Sequence, residues 1–185
     1  MINFELKSCG NLSEEFKIRG VSDFYAAMKF IKNLPYGRNS NRKDFSLVLK
    51  EIKGTCSSKH ALLKSIAIEN NQSEIQLKLG IFKMNGENTP KIKDILDQYG
   101  LDYIPEAHNY LKIQGEIYDC TTQNSSEMNF AQDLLQEIEI QPEDVSDFKI
   151  KFHKNYLEKW IADKSYSLDE IWKVRESCIK SLSSN

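Results

Sequence analysis

Apolar residues recur at helical spacing in some stretches of this chain and alternate in others. After Ser22, Phe24, Ala27, Met28 and Ile31 follow at steps of three and four, which predicts an amphipathic helix with Ser22 as its N-cap. It should end before NLPYGRNS, where Pro35, Gly37 and Asn39 supply turn chemistry. A second helix is predicted over 44–52, with Phe45, Val48, Leu49 and Ile52 on one face and Gly54 as its stop. Thr55 or Ser57 would cap a third, about 58–70, whose stripe is Leu62, Leu63, Ile66 and Ala67. Upstream, residues 1–11 read as an extended lead-in, and SEEFKIRG fits strand and helix equally well.

The pattern then changes period. EIQLKLGIFKM alternates through Ile75, Leu77, Leu79 and Ile81, as a half-buried strand does. NGENTP reads as a loop, and KIKDILDQYG as a short helix stopped by Gly100. AHNYLKIQGEIYDCTT predicts a hairpin with strands 108–113 and 116–121 joined at Gln114–Gly115, and QNSSE reads as a loop. Helical spacing returns in EDVSDFKIKFHKNYLEKWIADK, which places Val145, Phe148, Phe152, Tyr156 and Trp160 near one face. SLDEIWKVRESCIKSL opens with Ser167 and Glu170, the spacing of a capping box. Helices, then strands, then helices predict an α+β fold in a single domain, 1–185, with C-terminal helices over about 143–183.

Composition narrows the classes. The chain has 185 residues, 40% apolar and 28% charged, enough to bury a core. Lys and Arg number 25 against 27 Asp and Glu, a formal net charge of -2, so neither nucleic acid nor an anionic membrane is an expected partner. MINFELKSCGNLSEEF lacks the basic and apolar regions of a signal peptide, and no apolar run is long enough to span a bilayer, so a cytoplasmic location is expected. Cys9, Cys56, Cys120 and Cys178 are widely spaced, with no C-x-x-C pair, and are read as thiols in a reducing compartment.

One thiol sits in a telling place. In GTCSSKHALLKSIA, Cys56 falls where a loop meets a helix start. Backbone N–H groups and the helix dipole there favour a thiolate, which is the nucleophilic form, and the same N–H groups can hold an oxyanion. Gly54 would leave room for a substrate backbone. The other reading of Cys56 is a small buried hydrophobe. A nucleophilic thiol needs a base, and His108 begins the first strand of the hairpin. If Gln114–Gly115 is a two-residue turn, Ile113 faces Glu116, and Asp119 lies diagonally from His108 on the same face. There it can orient the imidazole, while a slip of one residue would separate the two. The other reading of this pair is an edge histidine and a solvated aspartate.

The order Cys56, His108, Asp119 on helix start, strand and next strand resembles the transglutaminase-like superfamily, cysteine enzymes with a rearranged papain-like fold. The residues that carry the resemblance are GTCSSKHALL, AHNYLKI and IYDCT, within about 34–122, and LPYGR, LGIFKM and IPEAH suggest a small bacterial-type member. The resemblance implies a nucleophile helix packed on an antiparallel sheet. It implies acyl transfer through a thioester on an amide of a peptide-like substrate, with Cys56 as nucleophile, His108 as acid and base and Asp119 as its orienter. Hydrolysis is preferred over transamidation, and no cofactor is called for. The alternative is a retired member that binds or scaffolds.

Departures from the family pattern are Ser57, where many relatives carry an aromatic residue, and His60, where a small one is common. Tyr36, Arg38, Asn109 and His60 are candidates for substrate or oxyanion contacts because they adjoin the motifs. Cys56 and His60 at i, i+4 could form half of a zinc site, but neither C-x-x-C nor H-E-x-x-H supports one, so no metal is expected. His153 is read as a packing or surface residue. The oligomeric state is left open.

Overall fold

The protein is seen in a computed structural model that describes residues 3–7 and 10–183; Cys9 and the start of the lead-in lie outside the described residues. Among the described residues, seven α-helices and a four-stranded antiparallel sheet make an α+β fold with helices at both ends. The helices are α1 (Asn11–Ile18), α2 (Phe24–Asn33), α3 (Leu47–Glu51), α4 (Cys56–Glu69), α5 (Lys93–Gln98), α6 (Asp147–Trp160) and α7 (Leu168–Ser183). The strands are β1 (Gln76–Asn85), β2 (Tyr103–Ile113), β3 (Glu116–Tyr118) and β4 (Leu134–Ile140), in the order β3-β2-β1-β4. The chain divides into two units. The first is Met1–Leu79, Asn109–Glu127 and Ile138–Ser146; the second is Gly80–His108, Met128–Glu137 and Asp147–Asn185.

In the first unit, α4 is the central element. Every residue from Ser58 to Ala67 is buried, because α1, α2, α3 and the short turn Pro142–Val145 surround it. SEEFKIRG resolves as helix. The Glu69 carboxylate, at the far end of α4, accepts from Leu12 N (3.1 Å), Ser13 N (2.8 Å) and Ser13 Oγ (2.6 Å), and so caps α1 from outside. Asp23, not Ser22, caps α2: its Oδ1 accepts from Ala26 N at 2.9 Å. The Ser22 carbonyl instead receives Leu6 N, and Glu5 bridges Asp23 in antiparallel sense, so the lead-in forms a short ribbon with the start of α2. The second predicted helix shrinks to α3, which ends at Ile52 in the left-handed conformation (φ 52°), two residues before Gly54.

The hairpin has the expected register, Leu111↔Tyr118, Lys112↔Ile117 and Ile113↔Glu116. Gln114 (φ 53°) and Gly115 (φ 87°) both take positive φ, as a two-residue turn matched to strand twist requires. β3 stops at Tyr118, short of 121, because the Asp119 carboxylate turns back to accept Thr121 N at 2.9 Å. β1 is buried on both faces, not one. β4 has no counterpart in the sequence reading.

In the second unit, β2 begins at Tyr103, five residues earlier than predicted, and carries Pro105. A strand residue points its N–H and C=O to the same side. The Pro105 carbonyl accepts from His153 Nε2 at 2.7 Å, so the missing N–H falls on the side facing α6. The buried residues of α6 are Lys149, His153 and Leu157, at steps of four. Phe148, predicted on the core face, is 44% exposed. α7 begins with the predicted capping box: Ser167 N donates to Glu170 Oε2 (2.8 Å) and Glu170 N to Ser167 Oγ (3.3 Å). No helix among the described residues is long and apolar enough to cross a membrane.

Candidate functional site

Cys56 is the first residue of α4. Thr55 caps the helix: its side chain accepts from Ser58 N, and Ser58 Oγ accepts from Thr55 N at 3.0 Å. Ser58 Oγ in turn donates to Asn39 Oδ1 (2.9 Å), and Asn39 Nδ2 donates to the Lys53 carbonyl (3.0 Å), so the turn holding Pro35, Gly37 and Asn39 buttresses the helix start. Tyr36 runs beside Gly54 as a parallel bridge, Tyr36 being half-buried and Arg38 exposed. The thiol of Cys56 is half-buried, with Sγ 3.9 Å from Ser57 Oγ.

Gly54 does not keep space for a ligand. A Cβ there would lie 2.9 Å from Lys59 Cγ and 3.0 Å from both Ser58 Oγ and Val48 Cγ2. The room it makes is filled by the protein's own side chains, above all the stem of Lys59. That corrects the expectation from sequence.

Ser57, next to Cys56, donates to Asn109 Oδ1 at 3.1 Å. Asn109 is fully buried, and its amide nitrogen donates to the Lys78 carbonyl at 3.0 Å. A hydrogen-bonded pair, Ser57 and Asn109, thus occupies the position beside Cys56.

His60 is fully buried, and both ring nitrogens are engaged. Nε2 accepts from Cys120 N at 2.7 Å, so it carries no proton, and Nδ1–H donates to the Cys56 carbonyl at 2.7 Å. Asp119 Oδ1 lies 3.7 Å from Nε2, but in this tautomer the contact is not an ion pair. His60 is a strut between α4 and the segment after β3, and its burial removes it from the candidates for substrate contact. Asp119 is 6% exposed. It shares the first unit with Cys56, Tyr36, Arg38, His60 and Asn109.

His108 belongs to the second unit. Its ring stands edge to face against Phe130 (centroids 4.8 Å apart) and Phe82 (6.1 Å), which fix the imidazole plane. The other two thiols among the described residues are quiet. Burial, and then the charge of Asp119, push Cys120 up to about 12. Burial, and then Glu106, push Cys178 up to about 11. Among the described residues, no three His, Cys, Asp or Glu side chains are grouped so that they could hold a metal ion.

Lys59 is the site residue that the sequence reading missed. It is fully buried, and Nζ donates to the Leu34 and Thr121 carbonyls, both at 2.6 Å. The signal was present: Lys59 precedes Leu62, Leu63 and Ile66 by three, four and seven residues, so it sits in the apolar stripe. Beside it, Thr121 Oγ1 is the buried side-chain polar atom without a hydrogen-bond partner among the described residues. Thr121→Val keeps the shape and removes that unmet group. Urea unfolding followed by far-UV circular dichroism should show unchanged stability or a gain of up to about 1 kcal/mol; a loss of that size would mean that the hydroxyl has a partner.

No family model matches the chain, and neither a curated protein nor a solved structure is significantly similar to it.

Proposed function

We propose that the protein is a cysteine-dependent acyl-transfer enzyme of transglutaminase-like type, acting on an amide of a peptide-like substrate. In the reaction, the Cys56 thiolate attacks the amide carbonyl, and N–H groups at the start of α4 receive the oxyanion. Protonated His108 gives its proton to the leaving amine as the C–N bond breaks, which leaves a thioester. Neutral His108 then takes a proton from water, the hydroxide adds to the thioester, and the thiolate departs; an amine in place of water would make the reaction a transamidation. Asp119 orients the imidazole.

The observation that carries this reading is the seat of Cys56: a half-buried thiol at the first position of a 14-residue helix whose start is held by a full capping box. The two-residue turn at Gln114–Gly115 with Ile113 facing Glu116, the register the reading assumed for the hairpin, supports it too.

The test is alkylation by iodoacetamide at pH 6, with the labelled cysteine identified by peptide mass. Cys56 is expected to react at least about tenfold faster than N-acetylcysteine, because an ordinary thiol with a pKa of about 8.5 is almost wholly protonated there. Cys120 and Cys178, raised by burial, should stay unlabelled. A Cys56 no faster than the small thiol removes the enzyme reading and leaves the retired, binding one.

A further inference from the structure

Lys59 raises a question of charge. An ammonium with no exposed surface is costly unless negative charge lies close, and the two carbonyls it binds supply only dipoles. The ionisable groups acting on it are Cys120, Asp119 and Cys56. Cys120 is itself pushed up to about 12 and stays neutral. Compensation therefore falls to the Asp119 carboxylate and to Cys56 when it is ionised. Lys59 also has a mechanical reach. Its bond to Thr121 O, together with the bond from Cys120 N to His60, pins both residues that follow Asp119 onto the first turn of α4. Its bond to Leu34 O pins the end of α2 to the same turn. Gly54 is the position that lets the Lys59 stem pass.

We infer that Lys59 is a positioning residue of the proposed site, a buried cation that clamps the Asp119 segment to the start of α4 and holds positive charge on the same helical turn as Cys56. This rests on the acyl-transfer reading for its purpose, but the charge itself is measurable without it. Burial first of all lowers the Lys59 ammonium to about 8, against the upward pull of Cys120, Asp119 and Cys56. The cation should therefore be present at pH 7 and gone by pH 10.

Two reagents of similar size, one sensitive to local charge and one not, read this in the unmodified protein. Iodoacetate is an anion and iodoacetamide is neutral, so the ratio of their rates at Cys56, divided by the same ratio for N-acetylcysteine, reports local charge and cancels the thiolate fraction. The normalised ratio should fall several-fold between pH 7 and pH 10, with a midpoint near 8. A flat ratio overturns the inference. Lys59→Met is the second arm: circular dichroism establishes whether it folds, and its Cys56 alkylation midpoint should rise by about one pH unit, a roughly tenfold loss of thiolate below the midpoint. Lys59→Arg, which keeps the charge, should restore most of that shift. A folded Lys59→Met with an unchanged midpoint also overturns the inference; if it does not fold, the reagent ratio decides alone. Failure of the functional reading looks different: Cys56 is then no faster than the small thiol at pH 6, whatever the ratio does with pH.

Discussion

Replacing Arg175 with Met is expected to cost about 3–5 kcal/mol of stability at pH 7, because it strands a buried carboxylate. Arg175, on α7, meets Glu106, on β2, in a bidentate pair: Nε donates to Oε2 at 2.7 Å and Nη2 to Oε1 at 2.5 Å. Glu106 is 6% exposed, and the guanidinium also stacks over Trp172, 5.2 Å from the ring centre. Burial alone would raise the Glu106 carboxyl above its usual 4.5, but the charge and hydrogen bonds of Arg175 outweigh it and the net shift is downward. A carboxyl lowered on folding gives stability that is fully present above its unfolded value and is lost as pH falls through the folded one. The wild-type protein should therefore lose this contribution only below about pH 4.5. In Arg175→Met only the smaller pulls of His153 and Lys149 still oppose burial, so the sign reverses and the variant gains stability as pH is lowered from 7 to 5. Trp160 and Trp172, the two tryptophans of the chain, both belong to the second unit, so urea unfolding read by tryptophan fluorescence reports on the unit that holds the pair. Glu106→Leu combined with Arg175→Met should recover most of the loss. A single variant within about 1 kcal/mol of wild type, or a double variant as unstable as the single one, would contradict this account.

Sequence pattern is read most easily where one face of an element alone is buried, or where a turn dictates residue type. The α2 stripe, the Ser167–Glu170 box and the Gln114–Gly115 turn are of that kind, and the structure has all three. Periodicity loses its meaning where burial is complete. α4 is covered almost all round, so nothing in the spacing singles out Lys59 from its neighbours, and it lies with His60 inside ten consecutive buried positions. α6 misleads for a related reason. Its aromatic residues mark a plausible face, yet the buried one is built on Lys149, His153 and Leu157, where His153 finds a carbonyl acceptor on β2 that no local pattern announces. β4 was missed because Leu134, Leu135, Gln136 and Glu137 spoil the alternation and leave only Ile138, Glu139 and Ile140 to signal a strand. At the site, Cys56 at a helix start was legible from Gly54, Thr55 and the following stripe. The Ser57–Asn109 bond and the Lys59 clamp join residues 52 and 62 positions apart, and such contacts leave no trace in spacing.

His108 is where chemistry and packing must be told apart by experiment. Its ring packs in a three-membered cluster with Phe82 and Phe130, so His108→Ala removes two aromatic contacts worth about 0.5–1.5 kcal/mol each as well as an imidazole. His108→Phe keeps an aromatic ring in that place and removes the titrating nitrogens. If His108 is the base of the proposed reaction, its loss deprives the Cys56 thiolate of its imidazolium partner, and the alkylation midpoint moves up toward the ordinary thiol value of about 8.5. Both variants should then lose Cys56 labelling at pH 6 by at least about tenfold, down to the rate of the small thiol. Stability should separate them: the Ala variant is less stable by about 1–3 kcal/mol, whereas the Phe variant stays near wild type by tryptophan fluorescence. Any amidase or transamidase turnover should fall with the labelling in both, since acylation and deacylation call on the same imidazole. A Phe variant that labels Cys56 at the wild-type rate at pH 6 would make His108 a packing residue only. The reactivity of the thiol would then have to come from the start of α4 and from Lys59 alone.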